Sequence, residues 1–190
     1  MGGIDWERYT TLCQKTYMPA IDRFSNMLRT ASGVATYQSI PVFAGAMKAN
    51  LVTILRGMTD ILKQMSREYL PQEEWESIRW KTVTDRMREA WFERLSRIDH
   101  LLIAVDYMQV RLQNKASDYE GLYRWVSSLQ NQEDEIRRIT ERIQEEALAF
   151  TRQEVPQILE LARLGIRMTR WGRQPEDESG REGCRISRKG

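Results

Sequence analysis

QEEWESIRWKTVTDRMREAWFERLSRIDHLLIAVDYMQVRLQNK, residues 72–115, carries Trp80, Val83, Met87, Trp91, Leu95, Ile98, Leu102, Val105, Met108 and Leu112 at steps of three and four, with no proline or glycine. That is the period of one face of an α-helix, and nothing in the run would stop it. Glu73, Glu74 and Glu76 follow Pro71 directly, so acidic groups fill a first turn and complement the positive end of the helix dipole. A straight helix of this length would span about 60 Å. The expectation is therefore one long helix that either projects from the domain or breaks near Asp99-His100.

The same period recurs on both sides of this segment. From Asp5 to about Arg29 the residues Tyr9, Leu12, Cys13, Ile21, Phe24, Met27 and Leu28 keep helical spacing, and Pro19 predicts a kink or a restart between two short helices. Ala31–Ile40 reads as a loop, and Pro41 stands in the first turn of a helix reaching about Arg67. That helix has few charges, and the small residues Ala44, Gly45, Ala46, Ala49 and Gly57 predict close neighbours and a central, buried position.

On the C-terminal side, Ser117-x-x-Glu120 has the spacing of a capping box. The helix behind it sets Leu122, Val126, Leu129, Ile136, Ile143 and Phe150 in a heptad-like row, with Glu133 and Thr140 at two seam positions. A second such spacing, Thr151-x-x-Glu154, stands just before Pro156 and predicts a kink before a last helix over about 154–171. From Gly172 to Gly190 the composition turns to Gly, Arg, Glu and Ser, which reads as a disordered tail. The expected fold is all-α: a bundle of five to seven helices over residues 1–171, with residues 172–190 as the tail.

The chemistry of the chain points to binding. It has one histidine, His100, next to Asp99, and on a helix adjacent side chains diverge by about 100°, so they cannot form the orienting pair of a general base. No zinc-protease, paired-cysteine, phosphate-loop or nucleophile-elbow string occurs. No catalytic residue, metal site, cofactor or small-molecule substrate is expected. Cys13 and Cys184 sit near opposite ends, which predicts a reducing, intracellular compartment. With no run of 18 uncharged apolar residues, the chain is expected to be soluble or peripheral.

Charge distribution is the most informative feature. The net charge is only +2, yet it alternates along the chain: +3 over 1–72, −1 over 73–119, −4 over 120–160 and +4 over 161–190. Arginine supplies 23 of the 29 basic residues, and its planar fork suits phosphate and carboxylate. Arg163, Arg167, Arg170 and Arg173 follow at steps of four, three and three, opposite Leu161, Leu164, Met168 and Trp171. These four arginines are the candidate nucleic-acid-binding residues. A second basic group, Arg79, Lys81, Arg86, Arg88, Arg94 and Arg97, is interleaved with acids and reads as an ordinary charged helix surface. The functional expectation is a non-enzymatic assembly protein that self-associates and binds a polyanion, nucleic acid favoured. A small viral matrix- or nucleocapsid-like protein, structural and RNA-binding, is one concrete form. Anionic membrane is another surface the arginine face would suit, and a helical protein–protein adaptor without nucleic-acid binding is the competing class.

Overall fold

The computed structural model describes residues 3–34, 36–98 and 116–165. Two long antiparallel helices, α1 (Trp6–Val34) and α2 (Ile40–Tyr69), form its frame. Asp5 starts α1 by accepting the Arg8 backbone N–H at 2.9 Å. Of the kink or restart expected at Pro19, the restart is absent: α1 runs through that residue as one helix. Pro19 lies on the exposed side, while Tyr17, Ala20, Ile21 and Phe24 are buried on the other, so packing outweighs the single lost hydrogen bond. The expected loop over 31–40 is correspondingly short: α1 continues to Val34, and one 3₁₀ turn, Tyr37–Ser39, leads into α2 with Pro41 in its first turn.

Tyr9 donates its hydroxyl to the Met58 carbonyl at 3.1 Å. At Gly57 the two backbones come so near that a Cβ would stand 2.6 Å from Cγ2 of Thr16. α2 buries Phe43, Met47, Leu51, Ile54, Met58, Leu62 and Met65 along one face only. Gly45, Ala46 and Ala49, expected to admit close neighbours, lie on the opposite, exposed side.

The long helix expected over 72–115 is interrupted. α3 (Gln72–Ser77) and α4 (Trp80–Leu95) are separated by Ile78, whose backbone is extended. On a continuous helix Ile78 would point about 160° from the Val83, Met87 and Trp91 row at 3.6 residues per turn. Breaking the helix lets Ile78 be buried as well. After Leu95 the chain turns at Ser96–Ile98. Asp99, His100 and the rest of the expected helix lie outside the described residues.

The C-terminal part is α5 (Ala116–Ser128), α6 (Glu133–Ala149) and α7 (Val155–Arg163). Ser117 already lies within α5, and Glu120 reaches forward to Arg124 rather than back to a cap. The single helix expected over 120–150 is divided at Asn131, which adopts φ 61°, a left-handed conformation that asparagine tolerates. All six apolar residues of the heptad-like row are buried inside this one chain. Of its polar members, Glu133 binds Arg29 and Thr140 donates to the Ile136 carbonyl.

The predicted capping box at Thr151 is replaced by a π-helical turn, Phe150–Glu154, in which the Val155 N–H reaches back to the Phe150 carbonyl. The wider turn accommodates Pro156, which has no N–H to donate. α7 ends at Arg163, and Gly165 at φ 65° takes the left-handed conformation common after a helix. The described residues thus form an all-α bundle, with no strand among them. At its centre Trp91 packs 5.5 Å from Phe150 and donates its indole N–H to the Leu51 carbonyl at 3.3 Å. Residues 166–190, including the predicted tail, lie outside the described residues.

Candidate polyanion interface

Four groups of basic side chains define what the surface can do. The first is the predicted one. Of Arg163, Arg167, Arg170 and Arg173, only Arg163 falls within the described residues. It closes α7 and is committed to carboxylates: Nε donates to Glu74 of α3, and Nη1 to Glu160 at 3.0 Å. The hydrogen bond it donates to Glu74 is the main reason its pKa lies above the ordinary arginine value. Arg163 therefore staples the end of α7 to α3.

The second group is buried. Arg94, counted from sequence as surface, has a side chain only 11% exposed. Its Nη1 donates to Glu146 at 2.8 Å, Nη2 to Gln153 at 3.0 Å, and Nε to Glu154. One guanidinium thus joins α4, α6 and the π turn. Burial opposes its charge, and the hydrogen bonds and charges of two glutamates outweigh that penalty, so its pKa is raised. Glu154 shares that arginine with Glu146, and burial prevails there: its carboxyl titrates above the usual carboxylate range despite Arg94.

Next to this network lies an open cavity of about 380 Å³, lined by Arg97, Ile98, Arg138, Ile139, Glu141, Arg142 and Glu145. Three arginines meet here, each engaged: Arg97 with Glu93 at 3.1 Å, Arg138 with Glu135 at 2.8 Å, and Arg142 with Glu145 at 3.1 Å and Glu146 at 3.2 Å. The surroundings hold more carboxylates than guanidinium groups. A polyanion would have to displace those partners and approach Glu141 and Glu145.

The fourth group has no such partners. Arg56, Lys63 and Arg67 follow one another at steps of seven and four on the outer face of α2, away from the Met58, Leu62 and Met65 row. Asp60 is the acid on that face between them. Among the described residues no carboxylate pairs with Arg56, Lys63 or Arg67. Arg67 instead lies over the Trp75 indole, 4.5 Å from its ring centroid. The Trp75 indole N–H is buried without a hydrogen-bond partner among the described residues. At the other edge of α2, Arg8 lies over the Tyr69 ring at 5.9 Å and donates to its hydroxyl at 2.8 Å.

Sequence reasoning passed over this face because α2 is poor in charge and was read as central. The available signal was positional, since all three cations fall on the side opposite the apolar row. Among the described residues no cluster of His, Cys, Asp or Glu is placed to hold a metal ion. No described helix is long and apolar enough to cross a membrane. Cys13 is buried beside Tyr9, and burial pushes its thiol up to about 12. No known protein family, curated protein or solved structure matches this chain.

Proposed function

We propose that this is a non-enzymatic helical binding protein that meets a polyanion, nucleic acid foremost, along the outer face of α2. The observation that carries the reading is the contrast in pairing. Arg94, Arg97, Arg138, Arg142 and Arg163 each hold a carboxylate, whereas among the described residues none pairs with exposed Arg56 and Arg67 or half-buried Lys63. A cation solvated by water exchanges that water for phosphate and releases condensed counterions from the nucleic acid. A paired one must first break its bond. At 1.5 Å per residue, Arg56 and Lys63 stand about 10 Å apart along the helix and Lys63 and Arg67 about 6 Å, a row that can follow a phosphate backbone. Arg167, Arg170 and Arg173 are proposed to add to the same contact from the C-terminal sequence. The heptad-like row is buried inside this one chain, so the proposal rests on binding rather than on self-association through that row.

Fluorescence anisotropy with a labelled duplex and a labelled single strand tests the reading. The cations of α2 alone predict a log–log salt slope of about −2 to −3, and each C-terminal arginine that joins would steepen it by about 0.7 to 0.9. Replacing Arg56 and Lys63 with Glu should abolish binding, while Arg138→Glu should leave it unchanged. If the wild-type chain binds neither ligand at low salt, the adaptor class replaces this one.

A further inference from the structure

We propose that the nucleic acid met by α2 is single-stranded and that Arg67, seated on Trp75, stacks one of its bases. This rests on the polyanion reading above and adds a residue-level mechanism to it. A guanidinium is a flat cation with two faces. In Arg67 the guanidinium carbon stands 4.5 Å from the Trp75 ring centroid, and the side chain as a whole remains exposed. An exposed planar cation seated against an indole can serve as a stacking platform for an unpaired base. Pre-seating on the indole also removes rotamer freedom that a solvated arginine would lose only on binding.

The platform is itself anchored. Trp75 belongs to α3, a single short helix between Pro71 and Ile78. The residue before it, Glu74, is held by Arg163 at the end of α7, and Trp75 packs against the core. Arg163 therefore acts as a positioning residue, tying the indole that holds Arg67 to the bundle. Lys63 stands one turn back from Arg67, and Arg56 two turns beyond it, both on the same outer face. One row of cations beside one platform tracks one strand, with phosphates on Arg56 and Lys63 and a base on Arg67. In a duplex the bases are already stacked on one another, and the platform would stand idle.

The test uses the full chain with fluorescein-labelled twelve-residue strands of adenylate and of uridylate, a duplex of equal length, and phosphatidylserine-containing vesicles. Wild type is expected to bind the single strands more tightly than the duplex. Arg67→Lys keeps the charge and removes the plane, so it should weaken single-strand binding by roughly 5- to 20-fold while leaving the salt slope and duplex affinity unchanged. Arg67 is exposed, and a circular dichroism spectrum equal to wild type will show the variant folded. Lys63→Glu should weaken single strands and duplex alike. Single-strand affinity unchanged in Arg67→Lys would overturn the stacking proposal while leaving the polyanion reading in place. So would wild type that prefers duplex, or that binds the vesicles and not the strands. Failure of wild type to bind any of these ligands at low salt would remove the polyanion reading itself.

Discussion

Arg94 and Arg67 are the same residue type held in opposite ways. Arg94 sits between three helical elements with two glutamates and a glutamine on its guanidinium. Arg67 lies on the surface against an indole, and no described carboxylate pairs with it. The first spends three hydrogen bonds and its charge on the fold. The second rests on an indole and spends none of its charge on a carboxylate. In a chain with 23 arginines, function is found by asking which of them the protein has already used.

The largest expected effect lies on the buried side of that comparison. Arg94→Met leaves Glu146 and Glu154 in a poorly solvated site without their shared cation, and should cost about 3 kcal/mol in chemical denaturation. Adding Glu146→Leu and Glu154→Gln to it should recover most of the loss. A cost below about 1 kcal/mol for the single variant would place Arg94 with the surface arginines and break the distinction. On the exposed side, the Arg56→Glu, Lys63→Glu double variant should lose at least about tenfold in polyanion affinity, yet keep its stability within about 0.5 kcal/mol.

A smaller effect comes from pH. Folding raises the Glu154 carboxyl pKa through burial, against the opposing pull of Arg94 and Arg97 and with Glu93 adding to the rise. A group whose folded pKa exceeds its unfolded value binds more protons in the folded state, so this contribution to stability falls as pH rises from about 4.3 through the raised value. Denaturation curves from pH 4 to pH 7 should therefore differ between wild type and Glu154→Gln, the variant losing that decline. Coincident profiles would mean that Glu154 is as well solvated as an exposed carboxylate. The smallest effect belongs to Arg29 and Glu133, a pair with most of the Glu133 side chain in water. Glu133→Ala should leave the denaturation midpoint unchanged within error.

Much of the fold is legible in the sequence, because the apolar rows of α1, α2 and α6 keep helical spacing and bury the residues that spacing selects. What escaped depends on contacts between distant segments. Pro19 could restart the helix, but burial of Tyr17, Ala20, Ile21 and Phe24 around it keeps α1 continuous. Leu129 and Ile136 keep a heptad step across a break, so the division at Asn131 leaves no trace in periodicity. Arg94 was in principle legible: it continues the Val83, Met87 and Trp91 row, just as Glu146 continues Ile139 and Ile143. Two charges on two apolar faces are a sign that they meet. Arg163 was not legible, since its partner Glu74 is 89 residues away, and no local pattern distinguishes an arginine with such a partner from one without.

The π turn at Phe150–Glu154 has a consequence best put as phase. In α6 and the first residue of the π turn, Ile136, Ile139, Ile143, Ala147 and Phe150 form one apolar stripe, and in α7 Val155, Ile158 and Leu159 form another. Counted at about 100° per residue, the second stripe runs ahead of the first by a little more than one residue's rotation. A turn with one surplus residue absorbs that advance, and the two stripes fall into line against α1 and α4. The surplus residue works as a frame correction inside an unbroken rod. Shortening the chain by one position there would leave every side chain of α7 intact and turn Ile158 and Leu159 off the core, a defect of timing along the helix with no change in its composition.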